Sequence, residues 1–223
     1  MRILLLSAYD AGSHAYWRQS LAEMLPEWQW HSLTLPPRHF SWRVRGNAAY
    51  WALREREMLE AGWDLLIATS MVDLATLRGL VPALSAVPTL YYFHENQFAY
   101  PASPRQQSIL EAQMVSLYGA MAADRLAFNS AYNRSTFLQG CEALWRRLPD
   151  FTPPELPQSL ASKSEVLPVP LAPASPGAPS RARLPWRVSG PLADRPLRLI
   201  WCGRQEYDRG GEGLERILQR LAG

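Results

Sequence analysis

Short apolar segments alternate with amphipathic segments along most of this chain, and no other feature restricts its fold as strongly. The apolar segments predict strands at 2–7, 29–34, 64–69, 88–93 and 124–128. The amphipathic segments predict helices at 14–25, 47–61, 72–80 and 105–122, and residues 130–139 begin another helix. Because short apolar strands separated by helices form βαβ units, we predict an α/β fold with a doubly wound parallel sheet that helices cover on both faces.

Proline interrupts this alternation after the last of these helices. Four prolines lie within residues 149–157, and a short strand is predicted at 165–169. Residues 170–196 are rich in Pro, Ala, Ser and Arg, a composition that cannot build a core and is typical of a linker or an extended surface connection. We therefore predict an N-terminal domain at 1–170 and a Pro-rich linker at 171–196.

The last residues begin a second α/β unit. A strand is predicted at 197–202 and a helix at 214–222, joined by a loop rich in glycine and arginine. One strand and one helix cannot bury their own apolar faces. Residues 197–223 are therefore interpreted as the incomplete start of a second domain, and the chain as a fragment or a truncated relative of a longer protein.

Composition excludes several classes of protein. The 223 residues are 48% hydrophobic, which rules out a chain that is disordered throughout. No apolar run approaches the roughly 20 residues of a membrane-spanning helix, so no membrane partner is predicted. The two cysteines, Cys141 and Cys202, lack the spacing of a disulfide framework or a metal site, so we expect no metal and a reducing, cytoplasmic location. A net charge of +3 does not by itself indicate nucleic acid.

Ligands of open α/β sheets bind beyond the carboxyl ends of the strands, so the loops there hold the candidate site residues. The loop after the first strand contains Gly12, Ser13 and His14 just before a helix. Gly12 allows a ligand to approach the backbone closely, and helix N-termini favour anions. The loop lacks the GxGxxG fingerprint of dinucleotide-binding domains, and an ordinary turn between strand and helix explains it equally well.

The loop predicted at residues 35–47, after the second strand, has an uncommon composition. Eight consecutive residues place three arginines and one histidine among two aromatic residues. Such interleaving is typical of surfaces that clamp phosphates and stack bases, and Trp42, Arg43 and Arg45 are its candidate binding residues. The alternative is the start of an amphipathic helix with Trp42 in the core.

Four polar residues, His94, Glu95, Asn96 and Gln97, directly follow the strand that ends at Phe93. Each of these side chains costs free energy when it is buried without a partner, so the cluster predicts a wet or ligand-filled cleft. His94 can donate a hydrogen bond from one ring nitrogen while a neighbour orients the other. A single histidine is usually structural, but four polar side chains at the end of a buried strand favour a functional site.

The loop of the second unit carries Arg204 and Arg209, five residues apart, in a glycine-rich stretch before the last helix. Guanidinium groups bind phosphates through paired hydrogen bonds, and a helix N-terminus adds backbone amides. The two arginines are therefore candidates for holding a diphosphate. A solvated charged loop is the alternative interpretation.

Three stretches of the chain resemble the tRNA-queuosine alpha-mannosyltransferases, a family of glycosyltransferases. They are LTLPPRHFSWRVRGNAAYW at 33–51, YYFHENQFAYP at 91–101 and FNSAYNRSTFL at 128–138, of which the second is the most specific. The triplet Gly-Ser-His at 12–14 fits the same family, and residues 200–209 resemble the start of its second domain. The resemblance covers nearly the whole chain apart from the proline-rich segments.

This resemblance implies a GT-B fold, in which two Rossmann-like domains face each other across a cleft. It implies a retaining transferase that moves mannose from the donor GDP-mannose to queuosine in the anticodon loop of a tRNA, with no separate cofactor. The second domain of that family continues far beyond the length present here and carries most of the nucleotide pocket. We therefore expect residues 1–223 by themselves to bind GDP-mannose weakly or not at all.

The resemblance also implies residue roles. His94 matches the histidine near the donor sugar, with Glu95 as a less favoured base, and Gly12 lets the first loop approach the donor phosphates. Arg204 matches the arginine that holds the donor diphosphate, and Arg209 stands where related enzymes usually have lysine. The acceptor side is assigned to Ser13, His14, Trp42, Arg43, Arg45, Asn96 and Gln97.

Two other functions stay open at this point. One is a GT-B glycosyltransferase that acts on a lipid or polysaccharide, and the other is a noncatalytic RNA-binding module left after loss of the second domain. The lipid version predicts a basic amphipathic helix with exposed apolar residues, and the glutamates among the arginines of residues 47–61 weaken it.

Overall fold

The computed structural model describes residues 1–100, 109–171, 201 and 210–222. The chain divides into two compact units, Met1–Pro170 and Leu171–Gly223. The strand predicted at 197–202 lies, except for Trp201, outside the described residues, so the start of a second domain stays a prediction. Within the described ranges, no helix is long and apolar enough to cross a membrane.

Strands and helices alternate through the first unit, as the apolar pattern predicts. The strands are β1 (Arg2–Ser7), β2 (Gln29–Thr34), β3 (Leu65–Thr69), β4 (Thr89–Phe93), β5 (Arg125–Phe128) and β6 (Ser164–Val166). The helices are α1 (Gly12–Met24), α2 (Phe40–Arg54), α3 (Arg56–Leu59), α4 (Leu74–Leu80), α5 (Ile109–Ala122), α6 (Ala131–Arg147) and α7 (Leu156–Ser162), with a 3-10 helix at Pro82–Ala86. The second unit contributes α8 (Gly211–Ala222).

The six strands are all parallel and lie in the order β2-β1-β3-β4-β5-β6. The chain passes from β1 outward to β2, returns to the other side of β1 for β3, and then continues in one direction to β6. This reversal makes the sheet doubly wound, which confirms the predicted α/β, Rossmann-like fold class. Because the strand order reverses between β1 and β3, a crevice opens at their carboxyl ends.

Residues of β1 point alternately to the two faces of the sheet, and both faces are buried. Leu4 and Leu6 belong to the larger apolar cluster, which α2 and the helices up to α7 cover. Ile3 and Leu5 belong to a smaller cluster with Trp17 of α1. Burial on both faces explains why β1 has a continuous apolar sequence instead of an alternating one.

The structure corrects the predicted boundaries of the second helix, which was expected at 47–61. α2 begins at Phe40, so part of the predicted loop at 35–47 is helical, and it ends at Arg54, before the short helix α3. A helix can start here because no proline or glycine lies between Pro37 and Gly46. The loop was predicted from the basic and aromatic composition of this stretch, which does not exclude a helix.

α6 begins at Ala131, as the sequence predicts to within one residue, and runs to Arg147. Gly140 lies inside this helix, and the side chain of Phe98 lies against it. Strand β6, by contrast, ends at Val166 and is shorter than the predicted 165–169.

Candidate functional site

The carboxyl ends of β1, β3 and β4 meet at one edge of the sheet, where the strand order reverses. We call this edge, with the loops at 8–11, 70–73 and 94–100, the switch-point crevice. Its loops are joined to each other, since Oγ of Ser70 donates to the carbonyl oxygen of Glu95 at 3.2 Å. The predicted site residues that follow β1 and β4 are also neighbours in space, since Nε2 of His14 lies 3.4 Å from Oε2 of Glu95.

Two histidines stack on each other in this crevice. His14, in the first turn of α1, and His94, directly after β4, place their ring centroids 4.0 Å apart with 17° between the ring planes. Trp17 and Tyr92 contact the His94 ring edge-on, at centroid distances of 4.8 and 4.9 Å. His14 and Trp17 are three residues apart on one face of α1, and this spacing brings both rings to the end of β4.

These surroundings hold His94 in its neutral form. Burial among the rings, and then the neighbouring His14, lower the pKa of His94 from 6.5 to about 2. A neutral imidazole has one N–H donor and one lone pair. At neutral pH, His94 therefore offers hydrogen bonds to a ligand but no positive charge.

The lowered pKa of His94 predicts a loss of stability on acidification. The unfolded chain binds a proton at His94 below its ordinary pKa of 6.5, whereas the folded chain leaves the ring neutral down to about pH 2, so the unfolded state gains as the pH falls through this window. Between pH 7 and pH 5, we expect this group to lower the free energy of unfolding by about 2 kcal/mol. Urea unfolding of the wild type and of His94→Gln at both pH values measures this effect. An equal loss in the two proteins would contradict the prediction.

Glu95 places a carboxylate beside the histidine pair. Its Oε2 lies 3.4 Å from Nε2 of His14, and its side chain is 35% exposed. Because a carboxylate only accepts hydrogen bonds, Nε2 of His14 is the donor in this contact. Glu95 thus orients the His14 ring, and the stacked His14 ring in turn supports His94.

Several buried polar atoms at this edge lack a hydrogen-bond partner in the described part of the chain. They are Nδ1 of His14, Nε2 of His94, Oγ of Ser7 and Oγ1 of Thr69. Nearly all buried polar atoms in folded proteins are paired, and an unpaired one costs roughly 1–3 kcal/mol. Since Ser7 and Thr69 end the strands on the two sides of the switch point, these atoms indicate a place where a ligand or ordered water completes the hydrogen bonds.

The N-terminus of α1 is open at the same edge. Its N-cap residue, Ala11, gives no side-chain hydrogen bond, and the first turn contains no acidic residue. A Cβ built on Gly12 would meet no atom within 4 Å, and Ser13 is exposed. Free space beside uncapped backbone N–H groups suits a phosphate, and the roles of Gly12 and Ser13 in binding stay predictions.

The amides of the loop after β4 mainly hold that loop in place. Asn96 is 4% exposed, and it donates to Oδ1 of Asn133 at 2.7 Å while its own Oδ1 accepts from the backbone N–H groups of Phe98 and Ala99 at 3.0 and 3.1 Å. Its amide atoms are all engaged within the fold, and this supports a structural part for Asn96 more than the acceptor role. Gln97 is 3% exposed and keeps an Oε1 without a partner among the described residues.

Two asparagines that were not predicted as site residues, because helix capping explained their stretch, fasten this loop to the start of α6. Nδ2 of Asn129 donates to the carbonyl oxygen of His94 at 2.6 Å, and Nδ2 of Asn133 donates to that of Phe93 at 3.0 Å. Nδ2 of Asn133 also donates to Oδ1 of Asn129 at 2.9 Å. Ser130 is the N-cap of α6, so capping explains neither asparagine. The signal in the sequence that could have identified them is their separation of four residues, about one helical turn, at the start of a helix.

Trp42, Arg43 and Arg45 lie on α2 instead of the predicted loop, and their environments differ. The alternative interpretation is right that a helix starts here, but Trp42 is 70% exposed and does not lie in the core. Arg45 pairs with Asp73 at 2.7 Å and with Glu111 at 3.3 Å. Arg43 forms no ion pair with a described residue, and its buried Nε lacks a partner there. Of the two arginines, Arg43 is the one whose charge no carboxylate of a described residue balances.

A pocket of about 410 Å³ lies where the first turns of α4 and α5 approach α2. Arg45 lines one side, and Leu110, Met114 and Tyr118 line the other. Neither histidine of the stacked pair lines it. Since the charge of Arg45 is already balanced, this pocket suits a charged ligand less well than the switch-point crevice does.

The predicted donor-binding arginines Arg204 and Arg209 lie outside the described residues, and their roles stay predictions. Cys141 is buried and free, and Cys202 also lies outside the described residues. Over residues 1–100, 109–171, 201 and 210–222, no group of three or more His, Cys, Asp or Glu side chains could hold a metal ion.

The fold and the crevice define a doubly wound α/β domain of the kind that binds ligands at its topological switch point. The chain belongs to the tRNA-queuosine alpha-mannosyltransferase family, because the model of the N-terminal part of that family matches residues 2–171. A tRNA-queuosine alpha-mannosyltransferase from Drosophila melanogaster is 29% identical over 226 residues, which cover 98% of this chain and 57% of the fly protein. The chain thus spans a little over half the length of that relative, and the resemblance seen in the sequence is confirmed.

One solved structure shows a slight likeness to the chain. It is a crystal structure described as a short-chain alcohol dehydrogenase from Burkholderia multivorans, which is 11% identical, with a TM-score of 0.27, over 75% of this chain and 96% of that one. A likeness of this size carries no argument about function, and the fold class rests on the observed sheet.

Proposed function

We propose that this chain forms the acceptor-side domain of a GT-B glycosyltransferase that moves mannose from GDP-mannose to queuosine in the anticodon loop of a tRNA. Transfer is with retention at the anomeric carbon, and the enzyme works in the cytoplasm. Membership of the family and the name of the fly relative support the reaction. Within the fold, the observation that supports it best is the buried, unpaired Nε2 of His94 at the switch point.

In this proposal, His94 binds the donor sugar through a hydrogen bond. Sugar hydroxyls both donate and accept, so a neutral imidazole with an unpaired nitrogen is a suitable partner for one of them. The transition state is oxocarbenium-like and the leaving group is a nucleoside diphosphate. A hydrogen bond that is already oriented before the reaction stabilises such a state without the cost of reorganising solvent.

The negative charge of the leaving diphosphate needs a different partner, because His94 is neutral at the pH of the cell. We assign this charge to Arg204 and Arg209, and to the open N-terminus of α1 at Gly12. Glu95 is occupied with His14 and acts as a positioning residue for the stacked rings, not as a base.

A transfer assay tests this proposal. The intact protein, with any residues that follow Gly223 included, is incubated with GDP-mannose carrying a radioactive mannose and with a tRNA that contains queuosine. The matched control is the same tRNA with guanosine at the queuosine position. We expect label in the queuosine-containing tRNA alone. Absence of label from both tRNAs, or equal label in both, would contradict the proposal.

A further inference from the structure

Gly46 lies in the middle of α2, where glycine destabilises a helix relative to alanine. A Cβ at this position would lie 2.7 Å from Cε2 and 2.9 Å from Cζ2 of Trp42, and the three atoms nearest to it all belong to that indole. The indole of Trp42 therefore lies over Gly46, one helical turn away, and occupies the space that a side chain would fill.

Although its indole rests on the helix, Trp42 is 70% exposed. One side of the ring contacts the backbone at Gly46, and the rest of the ring faces solvent. A ring held in this way has already lost much of its rotational freedom, so the entropic cost of fixing it when a ligand stacks on it is smaller. Trp42 on Gly46 is thus a fixed, flat, apolar surface at the start of α2, which we call the indole platform.

The charges around the indole platform favour a polyanionic partner. Residues 36–54 contain four arginines and no aspartate or glutamate. Arg43, next to Trp42, forms no ion pair with a described residue and has a buried Nε without a partner. Arg45 is already balanced by Asp73 and Glu111, so Arg43 is the residue that would neutralise a phosphate beside the platform.

The indole platform lies near the switch-point crevice. Phe40, the first residue of α2, contacts Tyr9 edge-on at a centroid distance of 6.0 Å. The backbone N–H of Asp10 donates to the carbonyl oxygen of Leu35 at 2.9 Å. Both contacts join the start of α2, the helix that carries the platform, to the loop that precedes α1 and His14.

We propose that the indole platform stacks an unpaired base of single-stranded RNA, with Arg43 binding an adjacent backbone phosphate. Aromatic rings that stack on bases, together with arginines that contact phosphates, are how proteins bind the splayed-out bases of RNA loops. The inference rests on the proposed function in one respect, since it identifies the RNA as the anticodon loop of the acceptor tRNA. Every RNA base has a flat face, so the platform contributes affinity and not recognition of queuosine.

Binding of a fluorescein-labelled, queuosine-containing anticodon stem-loop, followed by anisotropy at several salt concentrations, tests the platform. We expect Trp42→Ala to raise the Kd by about 10–100-fold, and Trp42→Phe to raise it by less than about fivefold. Gly46→Ala pushes the indole off the helix, and we expect it to raise the Kd by about fivefold or more with no fall in melting temperature. Arg43→Ala reduces the slope of log K against log salt by roughly 0.7, whereas Trp42→Ala leaves that slope unchanged.

Two variants serve as matched controls. Gly79→Ala adds a Cβ to another helical glycine, whose Cβ position has no atom within 4 Å. Leu53→Ala truncates another exposed apolar side chain on α2, one that is 81% exposed. We expect both to bind the stem-loop as the wild type does.

Wild-type affinity in both Trp42→Ala and Gly46→Ala would overturn the inference. So would a Trp42→Ala variant that binds RNA normally but no longer sediments with vesicles of phosphatidylcholine and phosphatidylserine, because the platform would then serve a membrane.

The transfer assay, run in parallel, separates this inference from the proposed function. If the wild type transfers no mannose while Trp42→Ala still loses RNA affinity, the platform stands and the proposed reaction is wrong.

Discussion

Replacing His94 by alanine is expected to lower kcat/KM for mannose transfer to queuosine-containing tRNA by about 10²–10³-fold, the usual cost of removing one oriented hydrogen-bond group from a transition state. The variant loses the nitrogen that, in the proposed function, holds the donor sugar. It also removes the ring on which His14 stacks. The measurement is the initial rate of transfer from labelled GDP-mannose at several concentrations of donor.

His94→Gln and His31→Gln are the comparison variants for this experiment. Glutamine keeps a hydrogen-bonding group at position 94 and should retain more activity than alanine does. His31 is exposed on β2, away from the crevice, and its replacement should leave transfer unchanged. A His94→Ala protein that stays folded by circular dichroism and keeps more than about a third of wild-type activity would show that His94 does not touch the sugar.

Gly119→Ala should have the largest effect on stability, a loss of roughly 2–4 kcal/mol in the free energy of unfolding. A Cβ there would lie 2.6 Å from Oη and 2.7 Å from Cζ of Tyr91. Tyr91 is fully buried, and its hydroxyl lies 2.9 and 2.8 Å from the carbonyl oxygens of Ser70 and Val72. The ring cannot move away without breaking these hydrogen bonds, and burial already raises the pKa of Tyr91 well above its usual range.

The matched control for this variant is Gly79→Ala, which adds the same methyl group to a helix with free space around it. It should raise stability by about 0.5–1 kcal/mol because alanine is the better helix former. Thermal unfolding compares the two variants, and we expect Gly119→Ala to melt roughly 5–15 °C below the wild type. Equal melting temperatures would contradict the close contact with Tyr91. Because Tyr91 anchors the loop after β3, transfer activity should fall as well.

The order of strands and helices could be predicted from the sequence because burial on both faces gives each parallel strand a continuous apolar run. The sequence of β1 is an example, with Ile3 and Leu5 facing one side and Leu4 and Leu6 the other. Helix boundaries were predicted less well. The start of α2 is an example, since it lies at Phe40 and not at the predicted residue 47.

The site could be predicted in part. Polar residues after β4 indicated a cleft, and the rule for carboxyl ends of strands brought Gly12 and His94 to one edge of the sheet. The stacking of His14 on His94 could not be predicted, since it depends on how α1 is rotated against the sheet. Asn96 is a residue type that often binds ligands, but its side-chain oxygen accepts hydrogen bonds from the backbone of its own loop.

The position of Trp42 shows a similar limit. The sequence offered two interpretations for it, a binding loop or a core residue, and the structure places it on the outside of a helix. What decides its position is Gly46, because the indole lies in the space that a side chain at that position would take. A glycine one helical turn from an aromatic residue is too common a pattern to predict such a contact without coordinates.

The most direct test of the central claim, that His94 holds the donor sugar, is ¹⁵N NMR of the imidazole rings. The spectra are recorded on the intact protein, with any residues that follow Gly223 included, because residues 1–223 by themselves are expected to bind GDP-mannose weakly or not at all. The resonances of His94 are assigned by their loss in His94→Gln. We predict that GDP-mannose shifts the Nε2 resonance of His94, that GDP alone shifts it much less, and that the ring stays neutral throughout. A His94 resonance that does not move while GDP-mannose is bound would contradict the account.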